Sequence, residues 1–420
     1  MLFGSSGIRQ LFDQRLLSLA PIVGAAVAKH AKHVVLGTDS RTSRDVLAHA
    51  VISGLISGGA DVVYGGICPT PTVAFGAGFA DAGVMITASH NPEPYNGIKL
   101  FRSDGSSYTL AQQKEIEEEI DHPFWSSWNE QGSVTDADLI TPHKEAILAS
   151  VCIPEDLTII VDCGNGAGGQ ITPKLFEESG ATVIPVNCDP SGKFARPSEP
   201  LEKNLLHIPK LMKKINAGCA VVNDGDADRM MAFDNLGRYI DGDHLLMLFA
   251  KYLDAKQVVT TVDASMAIEE IAEVRRTPVG DSFVSEELIS WGTFGGEPSG
   301  SWIFPKHSLC PDGPYAAALF AEISGEWNVA EELDAMPRYT ILRDSLETKN
   351  AKDILSGLGA ENPTDGIRIS EEENGWCLIR ASGTEPKIRC TAEGRTKDDA
   401  KRMLESGMNK IRDAIHQIRE

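Results

Sequence analysis

Short, uninterrupted apolar runs alternate with stretches of helical apolar spacing along most of the chain. HVVLGTD (33–39), DVVYGG (61–66) and VMITASH (84–90) are rich in β-branched residues and continuous, the pattern of strands covered on both faces. Between the first two, RDVLAHAVISGLISGG (44–59) spaces its apolar residues as a helix does and stops on glycines. The same grammar returns at TIIVDCG (158–164), TVIPVN (182–187) and CAVVND (219–224). It appears again at QVVTTVD (257–263), after a helix-like DHLLMLFAKYL (243–253). Alternation of this kind predicts the α/β class, with mainly parallel sheets and crossover helices. The tail breaks the pattern. WCLIRAS (376–382), IRCTAEGR (388–395) and a charged helix over 397–420 predict a small α+β unit. Boundaries near 150, 254 and 338 therefore divide the chain into units 1–150, 151–254, 255–337 and 338–420, the first three reading as distant copies of one plan.

Composition narrows the function classes. A chain of 420 residues exceeds what one core serves, in keeping with several units. Lys plus Arg number 39 against 60 Asp plus Glu, a formal charge of −21, which repels phosphate backbones and anionic lipid. Nucleic acid and membrane surfaces are thus not expected partners. No apolar run approaches the roughly 18–20 residues needed to span a bilayer, and MLFGSSGIRQ lacks the pattern of a secretory signal. Eight cysteines (68, 152, 163, 188, 219, 310, 377 and 390) form no CxxC pair and mostly sit in strand-like runs, which predicts reduced, buried thiols and a cytoplasmic location.

Four segments carry candidate chemistry. In TASHNPEPYNGIKLF (87–101), Ser89 follows a strand and precedes an Asn91-Pro92 turn, at the strand end where α/β proteins place ligands. Ser89 there either presents its hydroxyl to a substrate or caps a turn, with His90 packed beside it and Lys99 turned to the site or to solvent. In NDGDADRM (223–230), Asp224, Asp226 and Asp228 alternate, so three carboxylates can converge on one hard cation, with Mg²⁺ favoured. An EF-hand loop fails, because its glycine and glutamate positions hold Arg229 and Asn235. In GGEPSGSWIFP (295–305), Glu297 and Ser299 either accept sugar hydroxyls or form a plain Gly-Pro turn. In RASGTEPKIRC (380–390), Arg380 and Arg389 flank Ser382, Gly383 and Thr384, a set of donors suited to holding a phosphate. GNGAGG (164–169) fits a dinucleotide fingerprint with Asp189 about 20 residues on, but tight strand-to-helix packing explains its glycines as well.

Taken together and in this order, TASHNP, DGDADR, GEPSG and RASGTEP resemble the phosphoserine, metal, sugar and phosphate loops of the α-D-phosphohexomutase superfamily across essentially the whole chain. FGSSGIR (3–9) is similar to that family's opening segment and by resemblance brings Arg9 to the site. The resemblance implies three related α/β domains and a C-terminal domain of TATA-binding-protein-like shape around a central cleft. It implies a phosphoserine at Ser89, with Asp224, Asp226, Asp228 and a phosphate oxygen on Mg²⁺. A hexose monophosphate would pass through a 1,6-bisphosphate, also the activator, between its 6- and 1-phosphate forms. Arg9, His90, Lys99 and Arg229 would neutralise charge or relay a proton; Glu297, Ser299 and the tail donors Arg380, Ser382, Gly383, Thr384 and Arg389 would bind substrate. TPVGDSFV (277–284) resembles the version found in glucosamine-phosphate enzymes, whose Asp281 would suit a 2-ammonium group. The implied substrate is therefore glucosamine 6-phosphate ahead of mannose or glucose 6-phosphate. A phosphatase using Asp224 as nucleophile, or a silent sugar-phosphate sensor, fits subsets of the same features.

Overall fold

A computed structural model describes residues 2–4, 6–360, 366–371, 374–381 and 386–419, with side chains as far as 416. Four sheets succeed one another along the chain. The first orders its strands Ile8–Leu11, Tyr95–Arg102, Ala82–Ile86, His33–Thr38, Asp61–Ile67 and Val134–Asp136. The second runs Tyr239–Ile240, Met230–Phe233, Cys219–Asn223, Thr158–Asp162, Thr182–Val186, and the third Glu273–Thr277, Gln257–Thr261, Phe294–Glu297, Ser301–Ile303. Each of these three has a parallel core with antiparallel strands added at one edge. The fourth, Thr340–Glu347, Lys387–Gly394, Gly375–Ala381, Ile367–Glu371, is antiparallel throughout and carries the helices Ala351–Gly357 and Lys397–Arg419. The expected α/β plan with a distinct α+β tail is the plan observed.

Why the strands form where they do is visible in their burial. Ala82–Ile86 and Cys219–Asn223 are buried at every position, as strands with helices on both faces must be. The helix expected over 44–59 spans Arg44–Ser57 and ends at Gly58, with Gly59 at a left-handed φ of 81°. One expected strand is shortened. The run VMITASH was read as extended to His90, but pairing ends at Ile86, because Ser89 turns into the left-handed region.

In the three α/β units the chain leaves its last parallel strand through a short loop and returns as an antiparallel neighbour. Those loops are 87–94, 224–229 and 298–300, so the serine, aspartate and Glu-Pro-Ser segments occupy one topological point in three sheets. Such strand carboxyl ends are where open α/β sheets hold ligands. The second and third units share a continuous apolar core, in which Phe249, Phe294, Trp302 and Phe304 meet ring to ring. Trp302 also donates from Nε1 to the Met230 carbonyl at 2.7 Å, tying strand Ser301–Ile303 to strand Met230–Phe233.

The eight cysteines are free thiols; Cys152 is exposed and Cys188 partly so, the other six being buried. No helix among the described residues is long and apolar enough to cross a membrane.

Candidate active site

Ser89 adopts φ 50°, a left-handed backbone that costs a non-glycine residue on the order of 1–3 kcal/mol and persists only where its surroundings over-determine it. Here they do. Its N–H donates to Thr87 Oγ1 at 2.8 Å, and Thr87 Oγ1 donates in turn to Asp39 Oδ2 at 2.7 Å. Arg41, buried to 1% exposure, uses all five guanidinium donors on this loop and its anchor. Nε donates to Asp39 Oδ2 (3.0 Å), Nη1 to the Pro92 and Tyr95 carbonyls (2.7 and 2.9 Å), and Nη2 to the Ser89 and Asn91 carbonyls (2.8 and 2.6 Å). Neither Asp39 nor Arg41 was among the residues singled out in the sequence. The available signal was their place in TDSRTS (38–43), directly after a buried parallel strand.

The aspartate loop lies against Ser89. Ser89 Oγ donates to Asp224 Oδ2 at 3.1 Å, and the Arg229 N–H donates to Asp224 Oδ1 at 3.2 Å. Asp226 Oδ2 accepts from Lys99 Nζ (2.8 Å) and Thr70 Oγ1 (2.6 Å), and Asp228 Oδ2 accepts from the same ammonium at 2.5 Å. Asp226 Oδ1 and Asp228 Oδ1 are buried with no hydrogen-bond partner. The three aspartates offer oxygens within 4.8 Å of one another. An all-oxygen set with two unpartnered buried carboxylate oxygens fits a hard divalent cation such as Mg²⁺.

Electrostatics follow from this crowding. Burial, then repulsion from Asp228 and Asp226, pushes Asp224 well above the ordinary carboxylate range, and burial beside Asp226 raises Asp228. Burial works against charge on Asp226 as well, but the Lys99 ammonium outweighs it and holds this carboxyl below its usual range. For Lys99, burial opposes the charge and Asp226 and Asp228 reverse that, so it stays a firm cation. His90, with Nδ1 3.4 Å from Ser89 Oγ, is pushed down to about 3 by burial and by Arg229 and Arg9, and so is a neutral imidazole at neutral pH.

GNGAGG supports the aspartate loop from behind. Ala167 N–H donates to the Gly225 carbonyl at 2.9 Å. A Cβ on Gly166 would lie 2.6 Å from Gly225 O and 2.8 Å from Asp224 O, so only glycine allows the two backbones to approach. Close packing, not a dinucleotide, accounts for these glycines.

A cleft of about 850 Å³ opens in front of these loops. Arg9, Ser89, His90, Asp228, Arg229, Asp281, Glu297, Ser299 and Arg380 line it, which brings together residues from all four units. Arg9 is placed by strand Ile8–Leu11, where it pairs with Gly97 on the strand that carries Lys99. Lys99 itself is buried behind the aspartates and does not face the cleft. Ser299 Oγ is buried and unpartnered, a hydroxyl free for a ligand. Glu297 Oε1 accepts the Gly280 N–H at 2.9 Å, and burial, with Asp281 next in effect, pushes its carboxyl up to about 8. Arg389 lies opposite Arg380 in the antiparallel register and is exposed; it does not line the cleft. Ser382, Gly383 and Thr384 lie outside the described residues. Glu199, 3.7 Å from Arg229, and Asp263 also line the cleft and were not foreseen; both sit in loops without a motif of their own.

Comparison with known proteins agrees with this geometry. Sequence models for phosphoglucomutase/phosphomannomutase match all four units: alpha/beta/alpha domain I over residues 1–125, domain II over 142–237, domain III over 241–339 and the C-terminal domain over 342–409. A phosphoglucosamine mutase of Methanococcus vannielii is 40% identical over 447 residues, covering 99% of each chain. A solved phosphoglucomutase/phosphomannomutase family protein from Burkholderia thailandensis superposes with a TM-score of 0.85 at 25% identity, over 98% of this chain and 97% of that one. An Aspergillus fumigatus N-acetylphosphoglucosamine mutase, solved with GlcNAc-6P and magnesium, shares the fold at a TM-score of 0.58 and 16% identity, over 99% of this chain and 96% of its own. Four matching domains in order, set around a cleft lined by Ser89, Asp228 of the aspartate loop and Arg9, Arg229 and Arg380, place the chain in the phosphoglucomutase/phosphomannomutase family, within the α-D-phosphohexomutase superfamily.

Proposed function

We propose that this phosphohexomutase interconverts glucosamine 6-phosphate and glucosamine 1-phosphate through a phosphoryl group carried on Ser89 Oγ. The observation that carries the reaction is the meeting of Ser89 Oγ, Asp224 and two unpartnered carboxylate oxygens at the cleft wall. Asp224, Asp226 and Asp228 would hold Mg²⁺, which when bound supplies charge neutralisation for phosphoryl oxygens. Phosphoryl transfer asks the protein mainly for positioning and charge. Arg41 fixes the Ser89 backbone, and Arg9 and Arg229 present cations to the cleft. Lys99 contributes a fixed ammonium behind the aspartates. His90, beside Ser89 Oγ and held neutral, would accept a hydrogen bond from the substrate hydroxyl, its low proton affinity making it a weak base. Arg380, with Ser382, Gly383 and Thr384, would grip the phosphate that is not reacting, so that a 1,6-bisphosphate can turn over and return its other phosphoryl to the same serine. The same bisphosphate, bound from solution, would serve as activator.

Glucosamine is favoured by the opposite wall. Asp281, Asp263 and Glu297 line it together, and Asp281 and Asp263 both act to raise Glu297. Carboxylates placed there would attract an ammonium on the sugar more strongly than a neutral 2-hydroxyl. Ser299 and Glu297 would take the sugar hydroxyls. The four units would run 1–150, 151–254, 255–337 and 338–420, with helix Gly242–Tyr252 packing on strand Phe294–Glu297 across the second boundary.

The test is ³¹P NMR of the enzyme with Mg²⁺ and a trace of hexose 1,6-bisphosphate, with glucosamine, mannose and glucose 6-phosphates supplied separately. A 1-phosphate resonance growing fastest from glucosamine 6-phosphate is the expected result. Inorganic phosphate as the main product would move the assignment to a phosphatase, and equal rates for glucose would remove the role of the acidic wall.

A further inference from the structure

A second cluster of metal-ligating groups lies behind the aspartate loop, outside the cleft. His143, His307 and Asp312 each offer one ligand atom, all within 4.8 Å of one another. Asp312 Oδ2 is 2.9 Å from His143 Nε2 and 3.2 Å from His307 Nε2. The side chains of His143, His307 and Asp312 are 0%, 8% and 1% exposed. The His307 contact has ion-pair distance without the alignment of a hydrogen bond, so its buried Nε2 meets the cluster only through Asp312 Oδ2.

The surroundings fix the donors. Thr72 Oγ1 meets His143 Nδ1 at 2.9 Å, which orients the ring and leaves Nε2 for an ion, the outer-shell arrangement that metal-bound histidines show. The two imidazoles stack on one another, with Phe75 against His143 and Tyr315 against His307, so neither ring is free to turn away. Asp312 Oδ1 accepts the Tyr315 N–H as the cap of helix Gly313–Glu326, which leaves Oδ2 as the coordinating oxygen.

We propose that His143 Nε2, His307 Nε2 and Asp312 Oδ2 bind a second divalent ion, of the zinc type. Two imidazoles and one carboxylate suit Zn²⁺ and do not suit Mg²⁺, which takes oxygen ligands. Tetrahedral Zn²⁺ with bonds of about 2.0–2.1 Å sets its ligands about 3.3 Å apart, so the two measured separations need open by only a few tenths of an ångström. Water would supply the fourth ligand. Any Nε2 proton displaced by the ion passes to solvent.

The site would brace the catalytic loop from both sides. Thr70, two residues before Thr72, donates its N–H to the Asp226 carbonyl at 2.9 Å and its hydroxyl to Asp226 Oδ2 at 2.6 Å. Gly313, next to Asp312, donates to the Ala227 carbonyl at 3.2 Å. An ion joining these two segments would lock the frame that holds Asp226 and Asp228.

The experiment uses the full chain, stripped with dipicolinate and then equilibrated with Zn²⁺ in excess Mg²⁺. Bound zinc is counted by elemental mass spectrometry after gel filtration, and Co²⁺ substitution reports coordination through its visible d–d band. Wild type and Asp228→Asn are expected to keep one zinc per chain, and His307→Gln to lose it along with the cobalt band. Thr72→Val, which leaves all three ligands in place, is expected to weaken zinc about 10–100-fold. Should His307→Gln fail to fold, the Thr72→Val affinity decides. No zinc retained by wild type, equal zinc in His307→Gln, or unchanged affinity in Thr72→Val would each overturn the proposal and leave the trio a hydrogen-bonded bridge. Loss of the ion in Asp228→Asn would overturn it too, by placing the zinc in the catalytic loop.

Discussion

Replacing Arg41 tests whether the serine loop is held from below. Arg41→Met removes five donors at once: the counter-charge of Asp39 and one hydrogen bond to each of four carbonyls in the stretch 89–95. Breaking a buried ion pair by deleting one partner costs about 3–5 kcal/mol, and each carbonyl left dry adds to that. The loss is bounded by proton uptake. Burial already raises Asp39 above its ordinary value against the pull of Arg41, so without the guanidinium it rises further and takes up a proton. A carboxyl whose folded pKa lies above its unfolded one binds more protons folded than unfolded, so its contribution falls as pH rises toward the folded value. The destabilisation in Arg41→Met should therefore be smallest at acid pH and grow as the pH rises. Differential scanning calorimetry reads it in the transition of the first unit. Mass spectrometry of the Ser89 peptide and the ³¹P assay read the chemistry, where a serine displaced by about 1 Å loses about 100-fold in kcat. Arg41→Lys keeps the charge but has three donors for five acceptors, so it should restore part of the stability and little of the turnover. Wild-type turnover in Arg41→Met would refute the positioning role, even if its unfolding temperature fell.

Three further outcomes are expected. Substrate affinity should improve as pH rises through about 8, where Glu297 ionises and becomes a charged acceptor, and Glu297→Gln should flatten that profile and raise KM about 10–100-fold, the worth of one charged hydrogen bond at about 1.5–3 kcal/mol. Gly166→Ala should weaken Mg²⁺ activation and lower the folding temperature together, because its Cβ forces the Gly225 and Asp224 carbonyls away; a metal titration of turnover and a thermal melt check this. Glu393→Ala should loosen the tail from the third unit, since this buried carboxylate accepts from Ser265 Oγ (2.6 Å), Met266 N–H (2.8 Å) and Trp376 Nε1 (2.6 Å); faster amide exchange over 262–268 and 376–378 would report it.

What the sequence made legible was whatever is local. Buried parallel strands announce themselves by uninterrupted β-branched runs, and Cys219–Asn223 and Gln257–Thr261 fall within the runs that predict them. The alternation of Asp224, Asp226 and Asp228 likewise places three carboxylates together whatever the rest of the chain does. The extension of a strand to His90 failed because nothing in TASH declares a left-handed serine; that conformation is imposed by Arg41, 48 residues away. Lys99 is expected either at the site or in solvent; strand Tyr95–Arg102 turns it under the aspartates, a consequence of period-two geometry that becomes readable only once its pairing with Met85 is known. The trio of His143, His307 and Asp312 is invisible for the same reason, His143 standing 169 residues from Asp312 on an unrelated segment. Motif reading therefore finds the candidate groups at the cleft, because the three α/β units present them on short loops at strand ends. It misses the groups that aim those loops, which stand far off in the sequence and are joined only by folding. In an enzyme whose chemistry is mainly placement of charge, the second kind decides the rate as much as the first.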